Sequence, residues 1–407
     1  MRNVLLMTDF YYPNPSANGI CVEKLAQSMI SMGHKVSVLA YGIGKDAEYQ
    51  TIDGIEIFKV RAPLFYQVRE MNKGRGFLNV LFQIFRFFRF LRIALFLPIY
   101  PMIYPAFAIK YKNMAIKIVE KNNIDLVVAE YIPIEALFAG EKVKTLFPNI
   151  LFQVYVVDTF TQSPNAINYK LIGKVSKKWE NRMIRHSDNY FYISSFDSYY
   201  QTGEYRSFEN KMNSIGFPLV QNNCVPIRKR QNTIHLLYTG SWGGERNPEK
   251  IFCAIENMRI TDKIQFMYCG KENATSKEMI KKFPFVCSKG FIHPKELNKI
   301  YMEVDILVNL GNSTDMVPSK LFTYISTGLP ILHLYIKEDD PCISLLEKYE
   351  NSRCLALKSV TAEELETAIF EIIDNRVEYA KIEENYIQYT AKYISNCLLS
   401  GNCRNCK

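Results

Sequence analysis

The sequence predicts an α/β protein built from two Rossmann-like, doubly wound parallel-sheet domains. Three observations predict it. A strand, loop, helix, strand unit fills the first forty residues, the same rhythm resumes after a break at 216–231, and the chain, at 407 residues, is too long for one core.

The elements follow in order. Residues 4–8 form an apolar run that reads as a buried strand, and the loop DFYYPNPSANG leads into a helix with Ile20, Val22, Leu25, Ala26, Met29 and Ile30 at helical spacing. Gly33 ends that helix and 36–40 is the next strand. Further strands are expected at 125–129, 152–157 and 189–193, the last two separated by a basic helix carrying Lys174, Lys177, Lys178, Arg182 and Arg185. The second half places strands at 234–239, 264–269, 306–309, 330–334 and 354–357. Thr361 with Glu364 forms a capping box before another helix, and 377–399 reads as one final helix. The domains are therefore 1–215, a linker at 216–231 rich in Pro, Asn and basic residues, 232–380, and a terminal helix and Cys-containing tail over 381–407.

Composition narrows the partners. The net charge of +9 sits almost wholly in the first domain, where 1–215 holds 26 Lys/Arg against 18 Asp/Glu, and 59–121 alone holds 12 against 2. Such an excess implies an anionic partner, a membrane surface or a phosphorylated acceptor, and no nucleic-acid motif accompanies it. Ten scattered Cys fit a reducing compartment, and the opening MRNVLLMTD lacks the apolar run of a signal peptide. These features suggest a cytoplasmic protein.

Four loops fall where open parallel sheets bind anions, at the carboxyl ends of strands. The first holds Asn18 and Gly19, where a glycine opening a helix lets backbone approach a phosphate; an ordinary turn is the alternative. The second, 239–246, offers Gly240, Ser241 and Arg246, or else a flexible connection. The third is Gly270 with Lys271, which reads equally as a surface turn. The fourth, 314–330, is the sharpest. Pro318 stands where a helix can begin and Gly328 where it ends, with Ser319 and Lys320 in the first turn and Thr323 one turn on. Backbone N–H groups, a hydroxyl and a cation then converge, against the plainer reading of a capped helix with a solvated Lys. No His/Cys/carboxylate cluster shows ligand spacing within the domains, so no metal site and no cofactor are expected, and helix N-termini with Lys and Arg neutralise any diphosphate.

Several stretches together resemble a known family. MGHKVSVLA, WENRMIRHSDNYFYISS, KGFIHPKELNKIYMEVDILVNL and above all VPSKLFTYISTGLPIL are similar to motifs of the retaining GT-B glycosyltransferases, family 4-like, a group of sucrose synthases and bacterial capsule and O-antigen enzymes. The resemblance implies two domains facing a central cleft and transfer from a nucleotide-diphosphate sugar, a UDP-sugar foremost, bound on the second domain. It implies that Gly19 approaches the diphosphate, that Arg246 and Lys320 neutralise it, that Ser319 and Thr323 lie near phosphates and ribose, and that Phe291 lies beside the base. Where the family has Glu, seven residues and Glu, this chain has Asp315 and Thr323; Asp315 is placed to meet sugar hydroxyls, and Thr323 makes weaker ribose contacts than a carboxylate. Asp158 ends a strand where the family places a His or Asp facing the cleft, and Glu130 ends the neighbouring strand; either can orient or deprotonate an acceptor hydroxyl. A non-catalytic partner of a glycan assembly system and a nucleotide-sugar epimerase are the alternatives.

Residues 77–109 have the composition of an interfacial helix, with Arg86, Arg89 and Arg92 recurring every three residues among Phe and Leu. Pro98, Pro101 and Pro105 break the uncharged run 93–109, which is also short for a span. The expectation is a peripheral protein at the inner face of a membrane, with a lipid-linked or glycan acceptor; the alternative is a buried insertion whose Arg pair with acids. Cys397, Cys403 and Cys406 lie in what reads as an unstructured tail.

Overall fold

The computed structural model describes residues 1–71, 76–158, 170–226, 232–240, 242, 246–312 and 317–403. Two compact units result, Met1–Pro218 with Gln388–Lys407, and Leu219–Ile387.

The first unit runs β1 (Asn3–Phe10), α1 (Ala17–Ser31), β2 (Lys35–Gly42), β3 (Tyr49–Ile52), β4 (Ile55–Arg61), α2 (Leu64–Met71), α3 (Gly76–Leu95), α4 (Pro105–Asn122), β5 (Leu126–Tyr131), α5 (Ile134–Leu146), β6 (Leu151–Val156), α6 (Lys170–His186), β7 (Asn189–Ile193), α7 (Asp197–Tyr200) and β8 (Met212–Ile215). Its sheet has the order β3-β4-β2-β1-β5-β6-β7-β8. Only β3 is antiparallel to its neighbour. β3 and β4 were absent from the sequence reading. They form a hairpin whose turn puts Asp53 and Gly54 at φ 51° and 79°, the pair of left-handed residues a two-residue turn needs. The strand order reverses between β1 and β5, so ligands are expected at the carboxyl ends of these two strands.

Much of the basic surface of α6 has a structural use. Arg182 grips Glu141 with two 2.8 Å hydrogen bonds, and the buried Glu180 accepts hydrogen bonds from Tyr199, Tyr200 and Tyr205.

The second unit runs β9 (Ile234–Thr239), α8 (Glu249–Glu256), β10 (Ile264–Cys269), α9 (Ala274–Lys282), β11 (Val286–Gly290), α10 (Pro294–Tyr301), β12 (Ile306–Leu310), α11 (Ser319–Ser326), β13 (Ile331–Tyr335), α12 (Pro341–Leu346), β14 (Ser352–Ala356), α13 (Ala362–Ile372) and α14 (Tyr379–Asn385). All six strands are parallel in the order β11-β10-β9-β12-β13-β14, so this sheet also reverses direction beside its first strand.

The last segment corrects the expectation of one helix over 377–399, and it places Cys397, expected in an unstructured tail, inside a helix. The helix breaks after Asn385, and Thr390 opens α15 (Ala391–Ser400) by accepting a hydrogen bond from the Tyr393 N–H. α15 belongs to the first unit. Ile394, Cys397 and Leu398 are buried in its core, and Ser395 donates to the Leu25 carbonyl of α1. Gly401 closes α15 in the left-handed region at φ 79°. Cys406 lies outside the described residues.

Candidate functional site

In the second unit the carboxyl ends of three neighbouring strands are each marked by a glycine. The Gly240 N–H donates to the Cys269 carbonyl and the Gly270 N–H to the Gly290 carbonyl, both at 2.9 Å. A Cβ on Gly270 would sit 1.9 Å from the Gly240 oxygen, so no other residue fits without moving the strand ends apart. The glycines at 240 and 270, read from sequence as phosphate cradles, thus have a packing reason of their own. Beneath them Trp242 stacks on Tyr268 at 4.0 Å, and Asn273 donates to the Trp242 carbonyl at 2.6 Å.

Two cations converge on this edge. Lys320 is exposed by surface area, yet desolvation of its ammonium, and after it the like charge of Arg246, lowers it below the usual lysine value. Burial raises the Tyr238 phenol to about 12, with Arg246 opposing the rise. Burial likewise lifts the Cys269 thiol to about 11, with Lys289 and Lys320 pulling it down. Arg246 and Lys320, 74 positions apart in sequence, are therefore close enough to repel each other across the ends of β9 and β10. Neither has a carboxylate ion-pair partner among the described residues.

Lys320 sits in the first turn of α11. The N-cap is Pro318, whose side chain makes no capping hydrogen bond, and the Leu321 N–H donates to the Pro318 carbonyl at 3.0 Å. Pro318 stands one place earlier than the helical position the sequence suggested. Ser319 is exposed and Thr323 half-buried one turn along. Beside Thr323, Tyr324 points inward and receives the Thr239 N–H at 2.9 Å, tying α11 to the end of β9. Lys271 is exposed after Gly270, and Phe291 is an exposed ring just past Gly290. Ser241 and Asp315 lie outside the described residues.

The switch point of the first unit gathers carboxyl groups. Glu130 at the end of β5 is buried and accepts the Thr8 hydroxyl at 2.7 Å, while its second oxygen has no hydrogen-bond partner. Burial, with the charge of Asp9 adding to it, holds this carboxyl well above the ordinary value. Its side chain lies in the core, 1% exposed. Asp9, one residue on from Thr8, is only half-buried. Desolvation raises its pKa to about 6 against the opposing hydrogen bond from Ser16. Sequence reasoning missed Asp9, because a lone Asp at a strand end has no spacing to single it out. It also missed Glu135 in the first turn of α5, which is buried, accepts the Tyr41 hydroxyl at 2.8 Å and is raised by burial to about 7. Asp158 lies two residues past β6, near enough to Tyr131 to add to the upward push that burial gives that phenol.

The loop into α1 is fixed by the same group of residues. Ser16 caps α1 by accepting the Gly19 N–H at 3.0 Å and donates its own hydroxyl to Asp9 at 2.5 Å. Asn18 donates to the Ile132 carbonyl at 3.0 Å. A Cβ on Gly19 would lie 1.9 Å from the Phe10 oxygen, so glycine is required here by the packing of α1 on β1.

Helix α3 shows an uncommon division. Arg89 lies over the Phe65 ring, and Arg92 over Phe96 and Tyr104. Both guanidiniums thus rest on aromatic rings of the same unit, and Arg92, which stays exposed, also donates to the Ile103 carbonyl at 3.3 Å. Val80, Ile84, Phe87, Phe88, Phe90, Leu91 and Leu95 are left exposed, Phe90 at 62% and Leu95 at 73%. Among the described residues no helix is long and apolar enough to cross a membrane.

With this geometry in view, the comparison with solved structures is informative. Sucrose-phosphate synthase from Thermosynechococcus elongatus superposes with a TM-score of 0.61 at 11% identity, covering 98% of both chains. The Anabaena protein HepE, solved in complex with UDP and glucose, gives 0.53 at 12% identity over 99% of this chain and 98% of its own. The fold is GT-B. The UDP-GlcNAc 2-epimerase from Methanocaldococcus jannaschii, with a TM-score of 0.52 at 11% identity over 98% and 99% of the two chains, is similar to the same extent. No protein-family model and no curated protein matches the sequence. On a GT-B framework, each of the two strand-end clusters described above lies at the ligand end of its own sheet.

Proposed function

We propose that the chain is a glycosyltransferase. In this reading it moves a sugar, with retention, from a nucleotide-diphosphate donor to a lipid-linked or polysaccharide acceptor in surface-glycan assembly. The observation that carries the proposal is the meeting of Arg246 and Lys320, without acidic partners among the described residues, beside a helix N-terminus with no side-chain cap. A diphosphate satisfies all three at once. Two cations and a set of N–H dipoles already aimed at the leaving group stabilise the charge that develops there, without need of a divalent ion.

The remaining residues take roles around that centre. Gly240 and Gly270 keep the strand ends free of side chains, Lys271 and Ser319 contact phosphate or sugar oxygens, Phe291 offers an exposed ring to the base, and Thr323 meets the ribose. On the first unit Asp9 is the carboxylate suited to an acceptor hydroxyl, since a base with a pKa of about 6 is largely ionised at neutral pH and still accepts a proton readily. Asp158 is the second such candidate. The apolar face of α3, with exposed Arg86 on the same helix and the basic run of α4, is suited to the interfacial zone of an anionic membrane on the cytoplasmic side, where a lipid-linked acceptor resides.

The test is a thermal-shift panel of UDP- and GDP-sugars on the full chain, followed by transfer and hydrolysis assays on those that bind. Binding of one nucleotide sugar and its loss in Lys320→Met support the reading. Failure of every nucleotide and nucleotide sugar to bind would sink it. Thr323, in place of a carboxylate, favours a second reading, a non-catalytic GT-B partner, which would bind a nucleotide weakly and turn over nothing. Isomerisation of a UDP-sugar without acceptor would instead mark an epimerase.

A further inference from the structure

The sequence showed no cluster of metal-ligating residues, but the fold of the second unit assembles one. His333 on β13, Asp340 at the N-cap of α12 and Cys342 in its first turn are 0%, 4% and 1% exposed. One ligand atom from each lies within 4.8 Å of the other two.

Each residue uses one atom to hold the structure and turns another inward. Asp340 accepts the Cys342 N–H on Oδ1 at 2.9 Å, which caps α12 and leaves Oδ2. His333 meets the side-chain amide of Asn309 at 2.9 Å and its backbone carbonyl at 3.3 Å through Nδ1, which leaves Nε2. The Asn309 amide is a donor, so as the contact stands Nδ1 accepts and the proton sits on Nε2; a metal on Nε2 requires the other tautomer, in which Nδ1–H donates to the Asn309 backbone carbonyl. Nε2 and Oδ2 face each other at 3.4 Å as a long His–Asp contact, with the Cys342 thiol beside the carboxylate. A contact this long holds two buried polar atoms only weakly, and a metal between them would serve both. Tetrahedral zinc, with N and O ligands at about 2.0–2.1 Å, sets them about 3.4 Å apart. Gly311 makes room for the carboxylate, since a Cβ there would sit 2.6 Å from Oδ2.

We infer that His333, Asp340 and Cys342 bind a zinc ion that joins the end of β13 to the start of α12. A mixed imidazole, carboxylate and thiol set suits zinc better than magnesium or calcium. Binding releases the Cys342 thiol proton to solvent and leaves the fourth position to a small ligand such as water. The site is structural and independent of the proposed sugar transfer.

The test uses the full chain, purified without chelator, and a chelator-treated sample titrated with Co²⁺ as a spectroscopic probe. The expected result is a single equivalent of zinc per chain, tetrahedral d–d bands with cobalt, and a sulfur-to-cobalt charge-transfer band. Cys342→Ser should remove the charge-transfer band and keep d–d absorption. The double replacement Cys397→Ala with Cys403→Ser should leave both bands in place, which excludes the terminal cysteines. Should Cys342→Ser fail to fold, the wild-type spectrum and the zinc-dependent rise in Tm of the chelated chain decide the matter. Absence of bound zinc together with an octahedral cobalt spectrum overturns the inference, as does a charge-transfer band that survives Cys342→Ser.

Discussion

Replacing Lys320 by Met keeps the aliphatic stem of the side chain and removes its charge. In the ligand-free protein this relieves the repulsion with Arg246 that lowers the lysine, so stability should stay level or rise by a few tenths of a kcal/mol, the scale of exposed charge pairs. With nucleotide the sign reverses. A charge-assisted hydrogen bond to phosphate contributes about 1.5–3 kcal/mol, so the dissociation constant should rise about 10- to 150-fold. At a ligand concentration 100 times the wild-type constant, ligand stabilisation should drop from about 2.7 to about 0.3–1.4 kcal/mol. At about 2–4 °C per kcal/mol, the wild-type shift of about 5–11 °C becomes about 1–6 °C. Differential scanning fluorimetry with UDP or the best-binding sugar nucleotide, with and without ligand, reads both effects. An equal ligand-induced shift in the two proteins would refute the diphosphate role. Loss of more than about 1 kcal/mol in the ligand-free variant would show that Lys320 instead holds the fold together.

Other outcomes follow from the same geometry. Gly270→Ala drives a methyl group into the Gly240 carbonyl and should cost at least the ~1–3 kcal/mol of ordinary overpacking, read as a lower urea midpoint for the second unit. Glu135, raised to about 7 by burial, binds its proton more tightly folded than unfolded, so its contribution is full below about pH 4.5 and is lost as pH rises through about 7. Glu135→Gln should therefore be more stable than wild type at pH 8, by an amount on the order of 3 kcal/mol, and show less pH dependence in urea titrations between pH 5 and 8. Phe87→Glu with Phe90→Glu on α3 should abolish sedimentation with anionic vesicles while leaving the Tm unchanged, since both rings are exposed; unaltered sedimentation would remove α3 as the membrane contact.

The sequence was most informative where a short apolar run is bounded by polar residues. β7, β9 and β10 begin and end at the residues expected, because each is buried on both faces of a parallel sheet. Of the edge strands, β14 was expected at 354–357, while β3, β8 and β11 were missed. β11, Val286-Cys-Ser-Lys-Gly, and β8, Met-Asn-Ser-Ile, each bury only one residue, so hydrophobicity does not mark them. The β3–β4 hairpin did leave its signature in Ile52-Asp53-Gly54-Ile55. Arg246 and Lys320 were legible separately, from their loops. That they meet depends on the crossover that sets β12 beside β9. His333, Asp340 and Cys342 were illegible for a related reason. Register across β12 and β13, together with the turn into α12, aligns Asn309 with His333 and folds the capping Asp back over it, and no spacing motif encodes that.

The return of α15 to the first unit bears on how this protein is made. Ile394, Cys397 and Leu398 are made after the whole of the second unit, yet they complete the core that β1 and α1 begin. The amino-terminal body must wait, with a greasy flank uncovered, until 219–387 has been synthesised. The body synthesised second meets no such delay, since 219–387 is contiguous. A premature stop near residue 388 would thus damage the half of the molecule farthest from it in the gene.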